Sequence, residues 1–63
     1  MTRNEQLDAD VLGAIQAGKT ELVRISTSLA TAERVIDRSL QRLRRKGKIK
    51  YERKAWSLVE VES

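Results

Sequence analysis

Residues 31–46 read TAERVIDRSLQRLRRK, and their spacing predicts one amphipathic helix. Leu40 and Leu43 follow Ile36 at helical steps, with Ala32 and Ser39 beside them, so this seam is expected to face a core. At about 100° per residue, Arg34, Arg38, Gln41 and Arg45 fall within about 40° of a common line on the opposite side. A guanidinium forks onto guanine and a side-chain amide onto adenine, so a helix presenting this row has the chemistry to lie in the major groove of DNA. The plain alternative is a solvated helix face that is merely rich in arginine, because surface helices are commonly charged.

The charge distribution around this helix weighs against the plain alternative. The 63 residues carry a net charge of +4. From Arg34 to Lys54 there are ten basic residues against two acidic ones, Asp37 and Glu52, a local charge of +8. Residues 1–33 and residues 55–63 each sum to −2. Confining so much like charge to one third of a small domain costs self-repulsion, and a polyanionic partner offsets it.

Outward from the basic helix, each neighbouring segment has its own periodicity. Met1–Asn4 is polar and expected to fray. Over about residues 5–17, Leu7, Val11, Leu12, Ala14 and Ile15 recur at three- and four-residue steps and predict a first helix. Asp8, Asp10 and Gln16 are expected on its other side. Asp8 and Asp10 share no helix face, and with Glu5 they suit the positive end of the helix dipole. Gly18 ends this helix, and Lys19–Thr20 is a tight connection able to pair with a later hairpin. Residues 21–29 predict a short second helix with Thr20 as N-cap and Leu22, Ile25, Ser26 and Leu29 inward. Leu29-Ala30-Thr31 must then turn the chain into the third helix, residues 32–46, with Thr31 as its N-cap. A turn at this place commonly uses Gly, and Ala30 departs from that.

Gly47 stops the third helix, and the pattern changes at once to alternation. Lys48, Lys50 and Glu52 alternate with Ile49 and Tyr51, and Trp56 and Leu58 alternate with Ser57 and Val59, predicting a hairpin over about residues 48–61. Glu52-Arg53-Lys54-Ala55 is the connection, with two positive charges at its tip. Tyr51 and Trp56, both at core parity, are expected to pack rather than to stack on nucleobases. Val59 and Val61 are candidates for pairing two subunits, against fraying of the tail. The chain is thus expected to be a single α+β domain over residues 1–63, three helices followed by a two-stranded hairpin.

This order resembles the winged helix-turn-helix superfamily of DNA-binding domains. The resemblance is carried by Leu22…Ile25…Leu29, Thr31, the Ile36…Leu40…Leu43 seam, Arg45-Lys46-Gly47-Lys48-Ile49 and Trp56-Ser57-Leu58, and it covers about residues 7–59. It implies sequence-specific binding of double-stranded DNA with the third helix in the major groove and the hairpin wing on the backbone or in the minor groove. On the matching positions, Arg34, Arg38, Gln41 and Arg45 become the groove-facing set. Thr31, Arg42, Arg53 and Lys54 become the backbone or wing set. Small basic chains of this superfamily without a further domain are typical of phage, plasmid or prophage regulators, so the implied role is transcription regulation by a cytoplasmic, nucleoid-associated protein. A monomer this small covers few base pairs, and a homodimer or cooperative assembly on DNA is expected.

Other function classes have little to stand on. The chain has no Cys and no His, which removes disulfides, thiolate or imidazole metal sites and a Ser–His pair for Ser26, Ser28 or Ser39. Apart from Asp37 and Glu52 the acids fall at helix starts or in the tail, so no carboxylate pair is expected to form a catalytic pocket. No enzyme activity, cofactor, metal or small-molecule ligand is therefore expected. No apolar run approaches a membrane span, and polar residues rather than a signal region follow Met1. The run Arg42, Arg44, Arg45, Lys46 lies inside a helix and suits a groove contact better than a targeting signal. The competing functions are a protein–protein interaction winged-helix module and a nonspecific architectural DNA- or RNA-binding protein.

Overall fold

Thr2 and Glu5 stand at capping-box spacing, and the Thr2 hydroxyl accepts a hydrogen bond from the Glu5 amide at 3.2 Å. This cap starts α1, Arg3–Gln16, so Asn4 is helical rather than frayed. The computed structural model describes residues 2–59 and continues with α2 (Leu22–Leu29), α3 (Glu33–Arg45), β1 (Ile49–Glu52) and β2 (Ala55–Leu58). The α+β order expected from periodicity, a helix-turn-helix unit followed by a hairpin wing, is the order observed. Among the described residues no helix is long and apolar enough to cross a membrane.

All three helices end in the same way. Lys19 N–H donates to the Ala14 carbonyl and Gly18 N–H to that of Ile15, with Gly18 at φ 97°. Lys48 and Gly47 repeat the pair on Leu43 and Arg44, with Gly47 at φ 76°. Thr31 and Ala30 repeat it on Ser26 and Thr27, but here the left-handed residue is Ala30, φ 50°. This is the Schellman arrangement, which satisfies helix carbonyls that have no intrahelical partner. A Cβ in the left-handed region costs about 1 kcal/mol or more. Two hydroxyls brace the turn against that strain: Ser26 donates to the Thr31 carbonyl, and Thr31 donates to the Leu29 carbonyl at 3.0 Å.

Two expected caps are corrected by these turns. Thr31 is spent on the turn, and the N-cap of α3 is Ala32, which is exposed and makes no side-chain cap. Glu21, not Thr20, stands at the N-cap of α2, also without a side-chain cap bond. The Thr20 carbonyl instead accepts from Trp56 N–H at 2.9 Å, the pairing to the hairpin that the Lys19–Thr20 connection offered.

Every element contributes to the core: Val11, Ala14 and Ile15 of α1, Ile25 of α2, Ile36, Leu40 and Leu43 of α3, Ile49 of β1 and Trp56 of β2. Leu7, Leu12, Leu22, Leu29 and Leu58 close its edges. The hairpin is antiparallel with Tyr51 opposite Trp56 and Glu52 opposite Ala55, which leaves Arg53 and Lys54 alone in the turn. Val59 N–H donates to the Lys48 carbonyl at 3.1 Å and extends the ladder by one bond. Val61, and with it the end of the expected hairpin, lies outside the described residues.

Candidate nucleic-acid interface

The buried seam of α3 fixes which way its other residues look. Ile36 and Leu40 are fully buried and Leu43 nearly so, and on the opposite side Arg34, Arg38 and Arg45 are exposed while Gln41 is half-buried. Arg38, Gln41 and Arg45 line one shallow groove together with Asp37 and Arg42, and Arg34 stands one turn earlier on the same face. Among the described residues, Arg34, Arg38 and Arg45 form no ion pair.

Arg42 has a different employment from the one the sequence suggests. Its Nη2 lies 2.8 Å from Asp8 Oδ1 and its Nε 3.2 Å from Oδ2, a two-pronged grip across the α1–α3 contact. The Ser39 hydroxyl donates to the same Asp8 Oδ1. Asp8 is thus corrected from a solvent-facing dipole residue to a buried one, only 6% exposed. Burial pushes its carboxyl toward the neutral form. The hydrogen bonds from Arg42 and Ser39, with the positive charges of Arg42 and Lys46, outweigh that and hold it below the ordinary carboxylate range. The carboxylate in turn raises the Arg42 guanidinium above its already high ordinary value. Arg42 ties α3 to α1 through this grip, while its side chain, 30% exposed, lines the groove beside Arg38 and Arg45.

The hairpin tip carries the other candidates. Arg53 and Lys54 are exposed and both have positive φ, 53° and 62°. Positive φ at both central positions is the type I′ turn that two-residue hairpins favour, and Asn-Gly is its preferred occupant. Two long cationic side chains hold the place instead, and backbone strain of this kind concentrates at functional positions. Lys50 and Glu52 form a 3.3 Å ion pair along β1, well exposed and so of little energetic weight.

Between α3 and the wing lies a cleft of about 490 Å³ that the sequence did not announce. Asp37, Gln41 and Arg44 line it from α3, Tyr51, Lys54 and Trp56 from the hairpin, and Thr20–Val23 from the start of α2. Asp37, Gln41 and Arg44 follow i, i+4, i+7 spacing, a second row beside the first, and that spacing was the available signal for Arg44. Tyr51 shares the inner face of the hairpin as expected, its ring 4.9 Å from that of Trp56. It is nevertheless 51% exposed whereas Trp56 is buried, so packing describes Trp56 and only one side of Tyr51.

The donor chemistry of this surface is guanidinium, ammonium and amide, and among the described residues no group of three or more acidic side chains is gathered to hold a metal. Searches of protein-family models, of curated proteins and of solved structures returned no match to this chain.

Proposed function

We infer that the protein binds double-stranded DNA in a sequence-specific manner and regulates transcription. In this reading α3 enters the major groove with Arg34, Arg38, Gln41 and Arg45 toward the base edges. Arg53 and Lys54 follow the backbone or the adjacent minor groove. Arg42 is left out of the contacting set because Asp8 holds it, and Thr31 because its hydroxyl is engaged by Leu29.

One observation carries the reading: the guanidinium groups of the outward row have no carboxylate partner among the described residues, although Arg42 on the same helix has one in Asp8 of α1. Such a row is repulsive in the free protein and becomes favourable against phosphates and guanine edges. The test is selection of bound sequences from a random duplex pool at two salt concentrations. A common motif recovered at both, with affinity falling steeply as salt rises, supports the proposal. Equal recovery of all sequences turns it into nonspecific binding, and no recovery rejects it.

A protein-binding module is the second reading, favoured by Val23 and Tyr51, each about half exposed at the cleft. It requires that binding survive high salt and that duplex DNA not compete.

A further inference from the structure

Asp37 is the one acidic residue between Arg34 and Arg45. It is exposed, and it is the residue that, with Gln41, belongs both to the groove along α3 and to the cleft beside the wing. Nothing in the local structure accounts for a carboxylate here. Asp37 is the fifth residue of α3, beyond the first turn where the helix dipole favours an acid. Its neighbour one turn back is Glu33, a like charge that disfavours it. An acid placed to relieve the repulsion among its basic neighbours would pair with one of them, yet among the described residues Asp37 forms no ion pair and no side-chain hydrogen bond.

Resting on the duplex-binding reading above, we propose that Asp37 sets base specificity by accepting a hydrogen bond from the N4 amino group of a cytosine in the major groove. A carboxylate is acceptor-only, and among the exposed groups of the major-groove edges it matches the amino donors and clashes with the acceptor pair of guanine. Its position in the N-terminal half of α3 is where a helix seated in the groove brings side chains to base edges. The same charge repels phosphate oxygens, so Asp37 also lowers affinity for DNA that does not place an amino group opposite it. Specificity is then gained from an attractive contact on the right site and a repulsive one on all others.

The experiment compares the full chain with Asp37→Asn and Asp37→Ala, selecting sites from a random duplex pool and titrating random duplex at two salt concentrations. Asn has nearly the same volume and pairs with adenine, so Asp37→Asn is expected to move one position of the selected site from cytosine to adenine. Asp37→Ala is expected to lose discrimination at that position by roughly tenfold and to bind random duplex several-fold more tightly. A urea unfolding curve coinciding with that of the parent shows that the helix is intact. Selected sites unchanged in both variants, while Arg38→Ala alters them, would overturn the role of Asp37 and leave duplex binding standing. Absence of duplex binding by the parent chain would overturn both.

Discussion

The two flanks of α3 treat the same residue type in opposite ways. On the flank toward α1, Arg42 is clamped by a buried carboxylate and gives its charge to the fold. On the outward face, Arg34, Arg38 and Arg45 hold no ion partner among the described residues and keep their charge for something outside. The Arg42–Asp8–Ser39 contact ties α3 to α1 on one flank of the helix, and the buried seam of Ile36, Leu40 and Leu43 turns the outward row away from the core. Stability and recognition should therefore separate cleanly along one helix.

The largest effect is expected where the clamp is broken. Arg42→Ala leaves the buried Asp8 carboxylate without its cation and with the Ser39 hydroxyl as its remaining donor, and should cost about 3 kcal/mol of stability. Asp8→Ala should cost less, since the partly exposed guanidinium turns to water. Arg38→Ala should stay within about 0.5 kcal/mol of the parent in the same urea curves. An equal loss from Arg42→Ala and Arg38→Ala would erase the distinction between the flanks.

On DNA the ranking should invert. Arg38→Ala or Gln41→Ala is expected to relax base preference by about 1–3 kcal/mol if the lost contact was bidentate. Arg53→Ala or Lys54→Ala should weaken all sequences alike and reduce the salt slope by about one unit each. Wing changes that altered base preference while helix changes did not would exchange the roles of reader and clamp.

Acid sharpens the comparison from the fold side. The Asp8 carboxyl titrates lower in the folded chain than the roughly 3.9 of an unfolded aspartate, so below that value the unfolded chain takes up the proton first. Its contribution is full above about pH 4 and is lost as pH falls through the lowered folded value. In a pH series of thermal melts, Asp8→Asn should be less stable than the parent near neutrality, and the gap should narrow in acid. A gap that stayed constant to pH 2 would remove the clamp's charge from the account.

The smallest expected effects sit at the strained turns. Ala30→Gly should stabilise by up to about 1 kcal/mol by relieving the left-handed Cβ. The double change Arg53→Asn, Lys54→Gly should stabilise the hairpin while weakening DNA binding. A gain in stability with no loss in binding would make the tip a structural turn only.

Much of the fold was legible because periodicity is a local property. The 3.6-residue repeats placed α1, α2 and α3 within two residues, and alternation placed both strands. The Thr2…Glu5 cap is equally local, but it lies in the polar stretch that opens the chain, where no apolar repeat marks a helix start. The hairpin turn looked four residues long, since spacing alone does not show that Glu52 and Ala55 pair. Of the candidate interface, the row Arg34, Arg38, Gln41, Arg45 was legible as a helix face. Arg44 was legible only through its i, i+4, i+7 spacing with Asp37 and Gln41; that this second row lines a cleft follows from the wing folding beside it.

Composition, spacing and charge were enough to determine three helices, a basic hairpin and a helix with one apolar and one cationic side. They could not say which arginine would be kept inside. Asp8 and Arg42 are 34 residues apart, and their meeting depends on how α1 crosses α3, which a repeat within either helix does not encode. The tertiary structure made that choice because a buried carboxylate must be met by whichever donors the crossing brings within hydrogen-bond reach.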